Sequence, residues 1–207
     1  MALCEDATRA DQILSVASEL FLEHGFSATT TDMIQRAAGM SKATVYHCFP
    51  NKEAMFAAVI EHECQRLADS LPDVDMGAGS IEASLEKLGR AYLEIVIAPK
   101  TLALFRVTVA EAPRFPQLSA LFYRSGPKRV MGLIGDKLRE AANKGEIDVQ
   151  SIGVDEAAHL FCALARAEAQ LECLTHPDSK PSAARIDHWV ALAVATFMRA
   201  FAPPGSR

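Results

Sequence analysis

Apolar side chains recur at helical spacing over the first 24 residues of the chain. The positions on this predicted face are Ile13, Val16, Ala17, Leu20 and Phe21. Thr8 is a suitable N-cap, and Gly25 is suited to end a helix because glycine accepts the left-handed conformation. The pattern therefore predicts a first helix over 9–24.

Polar caps separate three more predicted helices, which cover 30–37, 42–48 and 52–70. Thr29, with Asp32 three residues later, resembles a capping box in which Asp replaces the usual Glu. Ser41 and Asn51 are placed to cap the next two helices. Pro50 stands between those helices and ends the first of them.

The rest of the chain also has a helical pattern. A stretch rich in Pro, Gly and Asp at 71–79 predicts a linker. Apolar periodicity and helix breakers then predict helices over 80–97, 100–112, 115–124, 127–144, 154–175 and 182–201. Alanine is abundant and long β-branched runs are scarce, which disfavours sheet. We expect an all-α protein.

Composition limits the partners and the compartment. The net charge is −5, and residues 1–60 carry four basic and seven acidic side chains. Within residues 1–60 the only local concentration of positive charge is Arg36, Lys42 and Lys52, so any nucleic-acid binding there depends on a small patch. Five cysteines without CxxC spacing favour a reduced, cytoplasmic compartment. Neither a signal peptide nor an apolar run of membrane-spanning length is visible, so no membrane partner is expected.

The second and third predicted helices are joined by the four-residue turn 38–41, which is a helix-turn-helix layout. Tight helix corners with Gly also occur in many other all-α proteins. Here Ile34, Val45 and Phe49 are spaced to pack the two helices together. Polar or amphipathic side chains collect where DNA would lie in such a layout, namely Thr29, Thr31, Lys42, Thr44, Tyr46 and His47.

Lys52 is informative by its position alone. It lies in the first turn of a predicted helix, where the helix dipole disfavours a cation. A DNA phosphate bound at this helix start would relieve the conflict. The alternative interpretation is an ordinary solvent-exposed lysine.

The stretch from Ile13 to Phe56 resembles the N-terminal domain of the TetR family of regulators. The matching features are Gly25-Phe26, Thr29-Thr30, Ile34, the turn 38–41, Thr44-Val45-Tyr46, Phe49 and Lys52-Glu53. The resemblance implies a helix-turn-helix DNA-binding domain at 1–51, double-stranded operator DNA as partner, and a ligand-binding and dimerisation domain at 52–207.

The resemblance also suggests individual roles at the DNA. Lys42, His47 and Thr31 are expected to meet base edges, while Thr44, Tyr46 and Lys52 are expected to contact phosphates. Tyr46 could instead, or also, be a structural aromatic residue. The set is completed by Thr29 and by Ala43, which stands where the family often has Gly. Cys48 replaces the family's usual His or Tyr, which removes one phosphate contact and would create an oxidisable site if the thiol were exposed beside cations.

The C-terminal part, with LFRVTVAEAPRFPQLSALFYRSGPKRV and the residues 144–147, resembles the AefR-like branch of the family. The helices at 154–175 and 182–201 have apolar stripes too wide for one buried face. As in the family, they are expected to form a homodimer interface, with Leu164 and Phe197 in it. A monomeric bundle core is the alternative.

The family resemblance further implies a small-molecule effector, which the sequence indicates only as apolar. The candidate lining residues are Tyr92, Phe105, Arg106, Val109, Phe122, Met131, Phe161 and Cys162. Tyr92 and Arg106 are the polar groups among them. Each residue could equally be ordinary core, and Arg106 could pair with Glu111 or Glu94 instead of a ligand.

Two other functions remain open. His159 and Cys162 share a helical face, but no third ligand or orienting acid stands at useful spacing. We therefore expect no enzyme, no catalytic residue, no metal and no cofactor. A dimeric helical interaction protein with degenerate DNA binding is the second alternative. The sequence favours a cytoplasmic repressor that an apolar ligand releases from its operator.

Overall fold

The computed structural model describes residues 2–71 and 79–203. All regular secondary structure within these ranges is helical, so the predicted all-α class is confirmed. The helices are α1 Ala2–His24, α2 Thr31–Ala38, α3 Lys42–Cys48, α4 Lys52–Asp69, α5 Ile81–Ile97, α6 Pro99–Glu111, α7 Pro116–Ser125, α8 Pro127–Asn143, α9 Val154–Thr175 and α10 Ala183–Phe201.

The predicted helix ends are confirmed to within one residue, except at the start of α1. This helix begins at Ala2, so Thr8 lies inside it and the prediction that Thr8 caps its start is wrong. No Gly or Pro occurs among residues 2–8 to stop the helix from extending toward the N-terminus. Most of the linker predicted at 71–79 lies outside the described residues, since 72–78 are not among them.

The chain folds into two compact units. The first unit comprises Met1–Arg66 and Ala103–Gly126, and it therefore combines α1–α3 with most of α4, the greater part of α6, and α7. Four phenylalanines form the centre of its core, with Phe26 touching Phe21, Phe56 and Phe115 at ring-centroid distances of 5.7, 5.0 and 4.8 Å. Burial of such rings contributes strongly to stability, and the edge-to-face contact of Phe26 with Phe115 adds to it.

The second unit comprises Leu67–Leu102 and Pro127–Arg207. Within it α5 packs against α9 and α10, α9 packs against α10, and α8 packs against α9. Gly89 on α5 permits the close approach of these helices, because a Cβ there would lie 3.1 Å from the Val190 side chain and 3.3 Å from that of Phe161. Phe161 and Phe197 meet edge to face in the same core, with ring centroids 5.4 Å apart.

These units divide the chain differently from the predicted domains 1–51 and 52–207. Part of α6 and all of α7, which are distant in sequence, pack in the same unit as the helix-turn-helix. The predicted division at 51/52 between a DNA-binding domain and a ligand-binding and dimerisation domain therefore stays a prediction.

Candidate DNA-binding surface

The turn between α2 and α3 is built by local capping. Thr30 caps α2 by accepting a hydrogen bond from Met33 N at 3.2 Å. Gly39 ends α2 in the left-handed conformation, with φ 65°, which glycine adopts without steric penalty. Ser41 then caps α3 by accepting from Thr44 N at 3.1 Å, as predicted. These contacts determine where α3 begins.

One face of this pair of helices is buried. Ile34 and Ala38 of α2, together with Val45 of α3 and Phe49 after it, belong to the core of the first unit. The predicted packing role of Ile34, Val45 and Phe49 is thus confirmed. Burial of this face leaves the opposite face of α3 toward solvent.

That exposed face carries most of the side chains predicted to contact DNA. Lys42, Ala43, Tyr46 and His47 are exposed, and Thr44 is half-buried. Their mutual contacts are few: the Tyr46 hydroxyl lies 3.3 Å from that of Thr31, and the Lys42 ammonium lies 6.0 Å from the Tyr46 ring centroid. The structure therefore brings Thr31, Lys42, Tyr46 and neighbouring α3 side chains together on one polar surface.

Thr29 does not belong to that surface, since its side chain is buried. Its hydroxyl is within hydrogen-bonding distance of the carbonyl oxygens of Leu20, at 3.1 Å, and Gly25, at 2.8 Å. The predicted N-cap role of Thr29 is wrong, because Thr30 caps α2. The side chain of Thr29 stabilises the loop between α1 and α2, and it is not accessible to DNA in this structure.

Lys52 has a third role that neither interpretation of its sequence position included. Its ammonium donates to the carbonyl oxygens of Phe26 at 2.8 Å and Thr29 at 2.9 Å, and lies 3.4 Å from that of Ser27. It also lies 4.5 Å from the centroid of the Phe26 ring. The carbonyl oxygens compensate the cation at the start of α4. No sequence signal shows this contact, because its partners are 23 to 26 residues away.

The last residue of α6 and a residue that follows this helix also contact the loop. The backbone N–H of Ser27 donates to Glu111 Oε1 at 3.0 Å, and Arg114 Nη1 lies 3.4 Å from Ser27 Oγ. Glu111, a predicted alternative partner of Arg106, thus accepts a hydrogen bond from the loop through one carboxylate oxygen. Lys52 and Glu111 together hold the loop that leads into α2.

The residues predicted to bind an effector are divided between the units. Phe105, Arg106, Val109 and Phe122 lie in the first unit, and Tyr92, Met131, Phe161 and Cys162 lie in the second. Phe105 and Phe122 are in ring contact at 6.2 Å, whereas Val109 is 55% exposed.

In the second unit, Tyr92 and Cys162 are buried and share a side-chain hydrogen bond. Burial raises the pKa of Cys162 to about 12, although the hydrogen bond from Tyr92 and the charge of Arg166 act in the opposite direction. Burial likewise raises the pKa of Tyr92. Both groups are therefore neutral near pH 7, and they place a polar contact inside an apolar core.

Leucine side chains on α9 and α10 are exposed in the single chain. Leu160, Leu164 and Leu171 are 46%, 41% and 62% exposed and share one side of α9, and Leu192 on α10 is 53% exposed. Phe197 differs from them, since it is fully buried in the second unit. Its expected place in an interface between chains is wrong, because its ring packs on Phe161 and Phe201.

His159 and Cys162, the pair that could suggest catalysis, differ in burial. His159 is exposed beside Glu156, with Nδ1 and Oε2 3.7 Å apart, whereas Cys162 is buried against Tyr92. Among the described residues there is no cluster of three or more His, Cys, Asp or Glu suited to a metal ion. None of the described helices is both long and apolar enough to cross a membrane.

A capped turn, a buried packing face and an exposed polar third helix define a helix-turn-helix protein. Residues 13–59 match the family model of bacterial regulatory proteins of the tetR family, and residues 83–203 match that of the AefR-like transcriptional repressor C-terminal domain. The chain belongs to the TetR family, and it is a DNA-binding transcriptional regulator.

Individual relatives agree with this assignment. The HTH-type transcriptional regulator UidR of Escherichia coli (strain K12) is 28% identical over 136 residues, or 66% of this chain and 67% of UidR. The solved structure of the Flavonoid-responsive Regulator FrrA is 36% identical, with a TM-score of 0.83 over 96% of this chain and 100% of that one. A TetR-family regulator from Mesorhizobium loti MAFF303099, 24% identical with a TM-score of 0.88 over 95% and 98% of the chains, has the same fold.

Proposed function

We propose that the protein is a homodimeric repressor that binds double-stranded operator DNA through α3 and leaves it when an effector binds. The observation that carries the proposal is the exposed face of α3, which holds Lys42, Ala43, Tyr46 and His47 above a buried packing face. A helix of this kind enters the major groove, where lysine finds acceptors on guanine. Thr31 and Thr44 extend the same surface.

The contacts that we propose differ from the sequence prediction at two positions. Thr29 is excluded because its side chain is buried, and Lys52 is excluded because its ammonium is held by carbonyl oxygens. Base edges are assigned to Lys42, His47 and Thr31. Phosphate contacts are assigned to Thr44 and Tyr46, whose hydroxyls can donate to phosphate oxygens.

A second copy of the chain is the partner that we propose for the exposed leucines of α9 and α10. One side of α9 carries Leu160, Leu164 and Leu171, which follow one another at spacings of four and seven residues. Leaving such an apolar stripe in water is unfavourable. Pairing with the same stripe of another chain would create a twofold axis, which helix-turn-helix dimers use to read symmetric operators.

For the effector we propose a planar phenolic compound bound in the second unit beside Tyr92 and Cys162. Their hydrogen-bonded pair is a neutral polar point in an apolar core, which suits a hydroxyl on an aromatic ring. Phe161 in the same core and Met131, which packs against it, would supply apolar contacts. FrrA, which is 36% identical to this chain, is named for its response to flavonoids, and this supports the proposed class.

The proposal places the protein in the cytoplasm with the DNA, and gives it a binding activity without turnover. The test begins with a duplex that the wild-type protein selects from a random pool. Flavonoids and unbranched fatty acids of similar hydrophobicity are then added to the complex. We expect release by flavonoids, and an equal weakening of flavonoid binding by the duplex, because binding linkage is reciprocal.

Two results would contradict the proposal at different points. If no duplex is enriched, or binding is insensitive to salt, the protein is better described as a helical interaction protein with degenerate DNA binding. If a duplex is bound but fatty acids alone release it, DNA binding stands and the effector class is wrong. A flavonoid that binds equally well with and without the duplex is not an inducer.

A further inference from the structure

One acidic side chain lies within the polar surface around α3. Asp32 is in the first turn of α2, and its Oδ1 lies 3.3 Å from the ammonium of Lys42. Both side chains are well exposed, at 65% and 61% of their surface respectively. Exposed ion pairs of this kind contribute little to folding stability. The Asp32–Lys42 pair therefore has more scope to affect DNA binding than folding.

The pair restricts the position of Lys42. Its ammonium is 3.3 Å from the Asp32 carboxylate and 6.0 Å from the centroid of the Tyr46 ring. The Tyr46 hydroxyl in turn is 3.3 Å from that of Thr31, the residue before Asp32. These contacts link α2 and α3 twice across the exposed surface, and the ion pair places the Lys42 ammonium beside the first turn of α2.

We propose that Asp32 determines the specificity of the DNA-binding surface by keeping Lys42 from binding phosphates indiscriminately. This inference rests on the proposed function of α3. Non-specific DNA offers mainly phosphates, and a phosphate that approaches Lys42 also meets the carboxylate of Asp32. Repulsion between the two anions opposes such binding.

A matching operator offers a different partner. The O6 and N7 atoms of guanine in the major groove are uncharged acceptors. An ammonium has three N–H donors, so Lys42 can keep one on Asp32 and donate another to the base. Asp32 thereby lowers the affinity for the operator only slightly, and it lowers the affinity for non-specific DNA more. The effect is strong here because residues 1–60 contain only four basic side chains, and one unpaired lysine would be a large share of the attraction for phosphates.

The test compares Asp32→Asn with the matched variant Asp11→Asn. Asp11 is an exposed residue of α1 in the same unit, so both variants lose one negative charge. Binding is measured by fluorescence anisotropy at salt concentrations from about 50 to about 300 mM, a range over which phosphate contacts weaken strongly. The two DNAs are the duplex selected by the wild-type protein and a scrambled duplex of equal length and composition.

We expect Asp32→Asn to bind the scrambled duplex about tenfold more tightly, with a salt slope steeper by about one, because Lys42 is then free to displace a counterion. Affinity for the selected duplex should change less than about threefold. Asp11→Asn and the conservative Asp32→Glu should keep the wild-type preference. If thermal melting shows that Asp32→Asn disturbs α2, Asp32→Ser replaces it, since serine also suits a helix start.

A double-mutant cycle with Lys42→Ala tests whether Asp32 acts on DNA binding through Lys42. The effect of Asp32→Asn should disappear in the Lys42→Ala background. An equal tightening there would show that Asp32 acts on phosphates directly and would overturn the proposal, as would equal behaviour of Asp32→Asn and Asp11→Asn. If the wild-type protein selects a duplex and Asp32→Asn keeps the same preference for it over the scrambled duplex, this inference is wrong but the proposed function stands. A wild-type protein that selects no duplex overturns the proposed function as well.

Discussion

The two units carry their polar and apolar side chains in contrasting places. In the first unit, the exposed face of α3 is polar, and aromatic rings fill the core behind it. In the second unit, α9 exposes a stripe of leucines, and the Tyr92–Cys162 pair places polar groups inside the core. A polar exterior suits a charged, hydrated partner such as DNA, whereas an apolar exterior suits a second protein chain. An apolar interior that contains one polar pair suits a small ligand with a polar group.

The largest effect is expected where the apolar exterior of the second unit is changed. Leu164→Glu would place a charge in the proposed dimer interface, and an unpaired buried charge costs about 3–5 kcal/mol. We expect the dissociation constant of the dimer to rise at least about a hundredfold, measured by analytical ultracentrifugation. Leu133→Glu on α8, which replaces a leucine that is 37% exposed, is the matched control and should stay dimeric.

Either of two results would contradict the proposed role of the apolar surface on α9. A wild-type protein that is monomeric at micromolar concentration would mean that the exposed leucines of α9 have no partner chain. A Leu164→Glu variant with the same dimer strength as Leu133→Glu would place the interface elsewhere on the chain.

A smaller effect separates the two lysines at helix starts in the first unit. Lys52→Met should lower the free energy of unfolding by about 1–3 kcal/mol, because partly buried carbonyl oxygens lose their donor. Lys42→Met removes only an exposed pair and should cost less than about 0.5 kcal/mol. Urea unfolding without DNA measures both variants. A stable Lys52→Met protein whose salt slope for DNA is lower by about one would instead identify Lys52 as a phosphate contact.

The smallest effect concerns the thiols, whose reactivity reports burial in both units. Burial, with a smaller contribution from Glu63, raises the pKa of Cys64 to about 12, and burial raises that of Cys162 to about the same value. At about pH 8, iodoacetamide should therefore label half-buried Cys48 well before these two, as mass spectrometry of the peptides would show. Rapid labelling of Cys162 in the folded protein would contradict its place in a closed core.

The raised thiol pKa values also set a pH dependence. A thiol whose pKa is higher in the folded state stabilises the protein fully below its unfolded pKa of about 8.5, and this contribution is lost as the pH rises toward about 12. We expect the Tm to fall between about pH 8 and about pH 10, and to fall less in Cys162→Ala. An equal fall in both proteins would assign the alkaline loss to other groups.

Local signals predicted the helix-turn-helix well, because caps and turns act over three or four residues. Ser41 caps α3, and Asn51 caps α4 by accepting from Ala54 N at 2.7 Å, both as expected. The cap of α2 was misplaced by one residue among three consecutive threonines. Propensity does not distinguish Thr29 from Thr30, and burial of the Thr29 side chain against α1 decides between them.

Contacts between distant residues were not predictable in this way. Lys52 and Glu111 hold the loop at residues 26–29 from helices that lie far apart in the sequence. Residue type along α5–α9 predicts which side chains could line an effector site, but it does not indicate which unit a helix joins. Phe105 and Phe161 are both candidates by type, although they belong to different units.

We propose above that the exposed face of α3 reads base pairs. The most direct test measures the affinity of the wild-type protein and of Lys42→Ala for every single-base variant of the selected duplex. We predict that Lys42→Ala loses about 1–3 kcal/mol of discrimination at one base pair in each half-site and keeps the wild-type preference elsewhere. A Lys42→Ala protein with an unchanged preference at every position would contradict the claim.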